Sequence, residues 1–189
     1  SSGSVFSVFH NQIMKGGPVT LTNKNMTRFV MSIKEAVRLV IDSALKAQGG
    51  EVFITKMPII RIEDLAKAMI KILSQKYGYK AHQIKIKEIG IKPGEKLYEE
   101  LMSGEEVRRT VELKNYFSVI PAFRGIYQNI AYNYKDIISK KINKAYISEK
   151  EKPLSVNEII LLLKKHNLIQ QPAEKMTKRY WPGDKEQKS

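Results

Sequence analysis

Residues 32–55 read SIKEAVRLVIDSALKAQGGEVFIT, and two periodicities meet inside this stretch. Ile33, Ala36, Val37, Val40, Ile41, Ala44 and Leu45 recur at spacings of three and four, the apolar stripe of a helix. Ser32 stands at the N-cap position, and Glu35 completes a capping box. Gly49-Gly50 ends the run, and Glu51 to Thr55, rich in β-branched and aromatic side chains, reads as a buried strand. A helix handing over to a strand across a glycine pair is a building unit of an α/β protein, the fold class expected here.

The same alternation continues on both sides. Upstream, Phe6 to Met14 reads as a short helix stopped by Gly16-Gly17-Pro18, and Val19 to Thr22 as a strand. Asn23 to Asn25 forms a turn, and Arg28 to Met31 a second short strand. Downstream, Ile62, Leu65, Ala66, Met69, Ile70 and Leu73 mark another amphipathic helix, which stops near Gly78. Ile84, Ile86 and Ile89 then alternate with lysines as a half-buried strand. The turn Lys92-Pro93-Gly94-Glu95 leads into a short helix from Lys96 to Met102, and Tyr116 to Ile120 is a strand closed by Pro121. Residues 122–153 read as an irregular connecting segment carrying Tyr127, Tyr132, Tyr134 and Tyr146. Ser155 and Glu158 cap a final helix within 154–169, and 170–189 is a polar tail.

Composition narrows the function. The 189 residues carry 33 Lys and Arg against 19 Asp and Glu, a net charge of +14. Only 7 of the basic residues are Arg, and the excess is even along the chain, from +3 to +4 in each of four successive segments. A nucleic-acid site concentrates charge and interleaves it with aromatics, so the expectation is a solvated lysine-rich surface and no nucleic-acid partner. Cysteine is absent, which excludes a disulfide framework, a thiolate nucleophile and Cys-ligated metal. No apolar run reaches the roughly 18 residues of a membrane span, and no basic start precedes an apolar leader, so a cytoplasmic location is expected.

Most familiar catalytic patterns are missing. There is no Gly-x-Gly-x-x-Gly, no Gly-x-Ser-x-Gly and no Walker lysine. His10, His82 and His166 lack metal-ligand spacing. Glu99-Glu100 and Glu105-Glu106 are adjacent pairs, which do not face one another on a helix. Tyr146-Ile-Ser-Glu-Lys150 has the Tyr-x-x-x-Lys spacing of short-chain dehydrogenases but lies outside any apolar-faced helix, which is the context that would confirm it. Two spots remain: Arg28 between apolar residues at a strand start, and the rigid turn carrying Lys92 and Glu95. A cation and free backbone N–H groups suit a pyrophosphate, and a carboxylate suits a ribose diol. A solvated turn lysine with a glutamate favouring a helix start is the other reading.

These two spots sit within five segments that occur in a fixed order: Gly3-Ser4-Val5-Phe6, residues 17–22 (GPVTLT), Met26-Thr27-Arg28-Phe29, residues 50–54 (GEVFI) and residues 90–99 (GIKPGEKLYE). Over residues 3–121 the pattern resembles the C-terminal half of the UDP-N-acetylglucosamine 4,6-dehydratases of polysaccharide biosynthesis. Those are extended short-chain dehydrogenase/reductases related to UDP-glucose 4-epimerase. The resemblance implies the last Rossmann strands and helices plus a small substrate-binding domain, within residues 1–121. It nominates Arg28 and Lys92 for the phosphates, Glu95 for the ribose, Thr20 and Thr22 beside the uracil, and Ser4 and Val5 on the sugar side. Lys92 stands where the family usually has Arg, and a lysine cannot fork onto a phosphate.

In such enzymes NAD or NADP oxidises C4 of the sugar, water leaves across C5 and C6, and the hydride returns to C6. The positions of the cofactor turn and the catalytic Tyr and Lys have no counterpart in this chain. The resemblance therefore implies a UDP-sugar-binding portion that needs an N-terminal Rossmann half as partner and is inactive alone, with no catalytic residue, cofactor or metal of its own. A homo-oligomer is expected. An epimerase half suits the same motifs, and a basic binding or assembly module is the reading from another class. The missing pyrophosphate turn predicts that the chain alone gives no fluorescence enhancement with NADH; micromolar NADH binding would overturn this and return attention to Tyr146 and Lys150.

Overall fold

The computed structural model describes residues 5–123, 125 and 129–168. Ser4, Tyr127 and the tail at 170–189 lie outside the described residues. The element order is mixed α/β, as the alternation implies. Helix α1 (Val5–Met14) is followed by strands β1 (Val19–Leu21) and β2 (Thr27–Phe29), helix α2 (Ile33–Lys46), and strands β3 (Val52–Thr55) and β4 (Ile59–Arg61). Helix α3 (Ile62–Leu73) precedes β5 (Ile86–Glu88), β6 (Glu100–Met102), β7 (Thr110–Leu113) and β8 (Tyr116–Val119). The described chain closes with β9 (Ile137–Ser139), β10 (Tyr146–Ile147) and helix α4 (Val156–Lys165).

The main core forms where apolar periodicity is cleanest. Leu65, Ala66, Met69 and Leu73 of α3 meet Phe9 and Ile13 of α1, Val19 of β1, and Ile159 and Leu163 of α4. These side chains are removed from water, the dominant stabilising contribution at about 25 cal/mol per Å² of apolar surface. α4 starts at Ser155 with the capping box completed by Glu158. His10 is also buried on α1, 2.6 Å from the Tyr77 hydroxyl. Burial, with Lys76 adding to it, pushes the His10 pKa below its usual 6.5.

Beside this core the strands form small ladders. β1 pairs in parallel with β5, β2 is antiparallel to β4, and β6 to β10. An antiparallel sheet runs in the order β3-β8-β7-β9.

Three sequence expectations need correction. The strand at 51–55 is not buried: β3 pairs only with β8, at an edge of its sheet, and Val52 is 60% exposed. The helix expected from Lys96 to Met102 is absent. Thr27 N–H donates to the Leu97 carbonyl, Glu99 exchanges hydrogen bonds with Ser148, and 100–102 form β6, so outside partners hold the chain extended. Residues 122–153 are not simply irregular, for they supply β9 and β10. The Tyr132 hydroxyl donates to the Gly49 carbonyl, and the Tyr134 hydroxyl to the Glu51 carboxylate.

α2 has its Ser32–Glu35 capping box, yet none of its residues is buried. Ile33, Val37, Val40, Ile41 and Leu45, the stripe that identified the helix, are all exposed. With Val52 they leave an apolar surface of the kind that marks interaction sites. Urea unfolding separates the two kinds of helix face. At a dilution where the chain is monomeric, Leu65→Ala, fully buried on α3, should cost about 2–5 kcal/mol, whereas Val40→Lys on α2 should change stability by no more than about 0.5 kcal/mol.

Candidate functional site

A cleft of about 440 Å³ opens between α1, the end of β1 and the β2–β4 ladder. Val5, Thr22, Arg28 and Glu95 line it, bringing four of the seven nominated residues together. Phe6, Phe9, Met26, Phe29 and Ile60 supply apolar walls. The combination of apolar walls and a few converging polar groups is that of a small-molecule site.

The remaining nominees lie elsewhere. Thr20 faces α1: its hydroxyl accepts from the Gln12 amide at 2.6 Å, and its backbone N–H donates to the Gln12 carbonyl oxygen at 3.0 Å. Lys92 is exposed on its turn and is not among the lining residues. Ser4 is outside the described residues. The Thr22 hydroxyl donates to Met26 Sδ at 3.8 Å, which turns it along the cleft wall.

Arg28 is the most heavily used side chain of the site. Nη1 donates to the carbonyls of Thr27 at 2.7 Å and Leu97 at 3.2 Å, and Nη2 donates to the Lys96 carbonyl at 2.6 Å. Nε lies 3.8 Å from a Glu99 carboxylate oxygen. A guanidinium has five N–H donors, so one on Nη2 and the one on Nε make no hydrogen bond among these contacts. The charge of Arg28 is thus present at the cleft, while most of its directional bonding ties the 96–97 backbone to β2. The Glu99 carboxylate also accepts from Phe29 N–H at 3.0 Å.

The turn before it is closed by its own residues. Glu95 N–H donates to the Lys92 carbonyl at 3.1 Å, and Lys92 N–H donates to a Glu95 carboxylate oxygen at 3.4 Å. Gly94 sits at φ +82°, where a side chain would be strained, and this fixes the direction of the turn. Glu95 is half-buried at the mouth of the cleft.

Tyr146 and Lys150 do not form a catalytic pair. The Tyr146 hydroxyl accepts from Met57 N–H at 2.8 Å and donates to the Met57 carbonyl at 3.1 Å. Its ring packs against Phe29 and Phe117, with centroids 4.7 and 5.2 Å away. Burial raises the phenol pKa, opposite to what a catalytic tyrosine needs. Lys150 is exposed in a 3₁₀ turn.

Sequence reasoning missed Phe29, Thr27, Glu99 and Ser148. The first two flank Arg28 and were within reach of its motif. Ser148 contacts Thr27 across 121 positions, a relation no local pattern carries.

The fold and cleft define the C-terminal part of an extended short-chain dehydrogenase/reductase. Residues 1–121 match the family described as polysaccharide biosynthesis protein, and the chain belongs to that family. It is 50% identical over 157 residues to an uncharacterized membrane protein, MJ1061, of Methanocaldococcus jannaschii, covering 82% of this chain and 46% of that protein. It is 34% identical over 172 residues to the UDP-glucose 4-epimerase of Rickettsia akari, covering 90% of this chain and 48% of the epimerase. Among solved structures, the X-ray structure of Pen from Bacillus thuringiensis superposes with a TM-score of 0.73 at 36% identity, over 88% of this chain and 46% of Pen. The chain spans about half the length of each of these proteins. Among the described residues, no helix is long and apolar enough to cross a membrane.

The Tyr146 geometry is tested by Tyr146→Phe. The change should lower stability by about 1 kcal/mol, because Met57 N–H and C=O lose their partner. In ultraviolet difference titration of the parent protein, the phenolate signal lost in this variant should appear above pH 10, the usual tyrosine value. A signal below pH 9 would show an activated tyrosine instead.

Proposed function

We propose that this chain is the UDP-sugar-binding portion of a nucleotide-sugar 4,6-dehydratase of surface polysaccharide biosynthesis, taking a UDP-N-acetylglucosamine-like substrate. The observation that carries the reading is the shared cleft: a cationic Arg28 and a carboxylate at Glu95 face one apolar-walled space of nucleotide size. In this reading Arg28 meets the diphosphate and Glu95 the ribose diol within the cleft, with Thr22 and the neighbouring strand beside the uracil and Val5 on the sugar side; Lys92, from its exposed turn, is proposed to reach the diphosphate, and Ser4 the sugar. Thr20 contributes through the placement of β1, since its polar groups are held by Gln12. Residues 1–121 are the substrate-binding half in this reading. A UDP-sugar 4-epimerase portion is the second reading, favoured by the similarity to the Rickettsia akari enzyme.

The described residues do not fit a dinucleotide. The glycines with positive φ at 16, 17, 49, 50, 78, 90 and 94 do not open α2, α3 or α4. β4 runs directly into α3, whose first turn carries Glu63 and Asp64, and these repel a pyrophosphate. NAD or NADP is thus assigned to an N-terminal Rossmann half. That half is also the proposed cover for the apolar face of α2 and β3, consistent with relatives about twice as long. Without it, a second copy of the chain takes its place and the isolated chain is oligomeric. A cytoplasmic location accompanies a nucleotide-sugar substrate.

Calorimetric titration tests the binding roles. UDP should bind, and AMP should not. Arg28→Ala should weaken UDP by roughly ten- to a hundredfold, the loss of a charge-assisted contact worth about 1.5–3 kcal/mol. Thr22→Ala should have a smaller effect. Lys92→Arg is the sharper variant: a guanidinium can fork onto the diphosphate, so UDP should bind more tightly. Unchanged affinity in both Arg28→Ala and Lys92→Arg would make the strand and turn purely structural. A salt-sensitive response to any polyanion would favour a basic binding module.

A further inference from the structure

The Tyr146–Lys150 stretch has no role in the proposed binding scheme, yet its centre is among the best-buried polar spots of the molecule. Tyr146, Ile147 and Ser148 are buried in succession, whereas a regular strand alternates its faces. The pairing of β10 with β6 shifts register between Tyr146 and Ile147, and such a bulge re-aims side chains. As a result Ser148, with no exposed surface, points between β2 and the segment that follows the Lys92–Glu95 turn.

Three polar groups meet its hydroxyl. Ser148 Oγ lies 2.8 Å from Thr27 Oγ1 and accepts from Glu99 N–H at 2.9 Å. The Thr27 carbonyl is 3.4 Å away. Ser148 N–H donates to the Glu99 carbonyl at 2.9 Å. Segment 96–99 lies outside any helix or strand. Its attachments to β2 are the Arg28 guanidinium and Thr27 N–H at 96–97, the Glu99 carboxylate on Phe29 N–H, and Ser148 joining Glu99 to Thr27. Tyr146, bonded to Met57 and packed on Phe29, holds Ser148 in place from two residues away.

We infer that Ser148 is a positioning residue for the nucleotide site: it fixes the Lys92–Glu95 turn against β2, so that Lys92 and Glu95 face the same ligand as Arg28. This rests on the UDP-site reading given above. Ser148 touches no ligand and acts through Glu99. Without the hydroxyl, Glu99 N–H and Thr27 Oγ1 lose a partner, and segment 96–99 loses one of its tethers to β2.

A double-mutant cycle on the 189-residue chain tests this, using UDP titration of the parent, Ser148→Ala, Lys92→Ala and the pair. Ser148→Ala should weaken UDP roughly five- to tenfold, and by clearly less once Lys92 is already alanine, because part of its effect passes through Lys92 on the same turn. Ser148→Thr, which keeps the hydroxyl, should recover most of the loss. Amide exchange provides a second readout: residues 94–99 should lose protection in Ser148→Ala while α3 keeps its own. Equal losses in both backgrounds, or unchanged exchange at 94–99, would overturn the inference. If the parent does not bind UDP, the nucleotide reading fails and the exchange data alone decide the tether: lost protection at 94–99 supports it, and unchanged protection rejects it.

Discussion

The site depends on one guanidinium that bonds mainly to backbone. Arg28 projects from the two-stranded β2–β4 ladder and gathers the carbonyls of residues 27, 96 and 97. Without that clamp, a strand from the first third of the chain and a turn some 65 positions later would have little reason to share a wall of the cleft. Carbonyl oxygens leave the positive charge of the guanidinium uncancelled, and its nearest carboxylate, Glu99, stands off at 3.8 Å. One side chain therefore shapes the cleft and supplies its cation, alongside the Glu95 carboxylate. These two tasks are in tension, since a guanidinium committed to carbonyls has few directed bonds left for a ligand.

How much of this was legible in the sequence depended on range. α3 and α4 were, because a 3.6-residue apolar stripe is a local signal and in both it lies in the core; the Ser155-x-x-Glu158 box, also local, caps α4. α2 was legible as a helix by the same signals, but periodicity says which face is apolar and not whether anything covers it. The strand at Val52 reads as buried for the same reason, since an apolar run looks alike at a sheet's centre and at its edge. The helix expected at Lys96–Met102 failed because partners outside the segment, Thr27 and Ser148 among them, held its backbone extended. Of the nominated residues, Val5, Thr22, Arg28 and Glu95 meet in the cleft, while Gln12 draws Thr20 away from it.

The molecule is unevenly built. On one side α1, α3 and α4 enclose a dry core, with Leu65, Leu73 and Ile159 fully removed from solvent. On the other, β3 is held by its ladder with β8, Leu39 of α2 packs on the cluster of Val111, Leu113 and Tyr116, and polar contacts fasten the ends. Lys46 pairs with Asp136 at 2.9 Å, the Tyr116 hydroxyl donates to Asp42 at 2.6 Å, and Tyr132 caps the Gly49 carbonyl. Burial and the Asp42 carboxylate drive the Tyr116 pKa up to about 12, so that hydroxyl remains a donor at any physiological pH. Polar fastenings of this kind orient a helix without dehydrating it. They leave α2 in place with its apolar stripe still facing water.

The parallel pairing of β1 with β5 ties the cleft wall to a distant part of the chain. Val19 opposes Ile86, so closing that ladder encloses β2, α2, β3, β4 and α3 in a single loop. Loop-closure entropy opposes such a contact until other interactions have shortened the effective path. The α3 helix, formed from local contacts, can dock on α1 first and carry β5 toward β1. The cleft wall at Thr22 continues β1, so it rests on a contact between residues 67 positions apart in sequence, Val19 and Ile86.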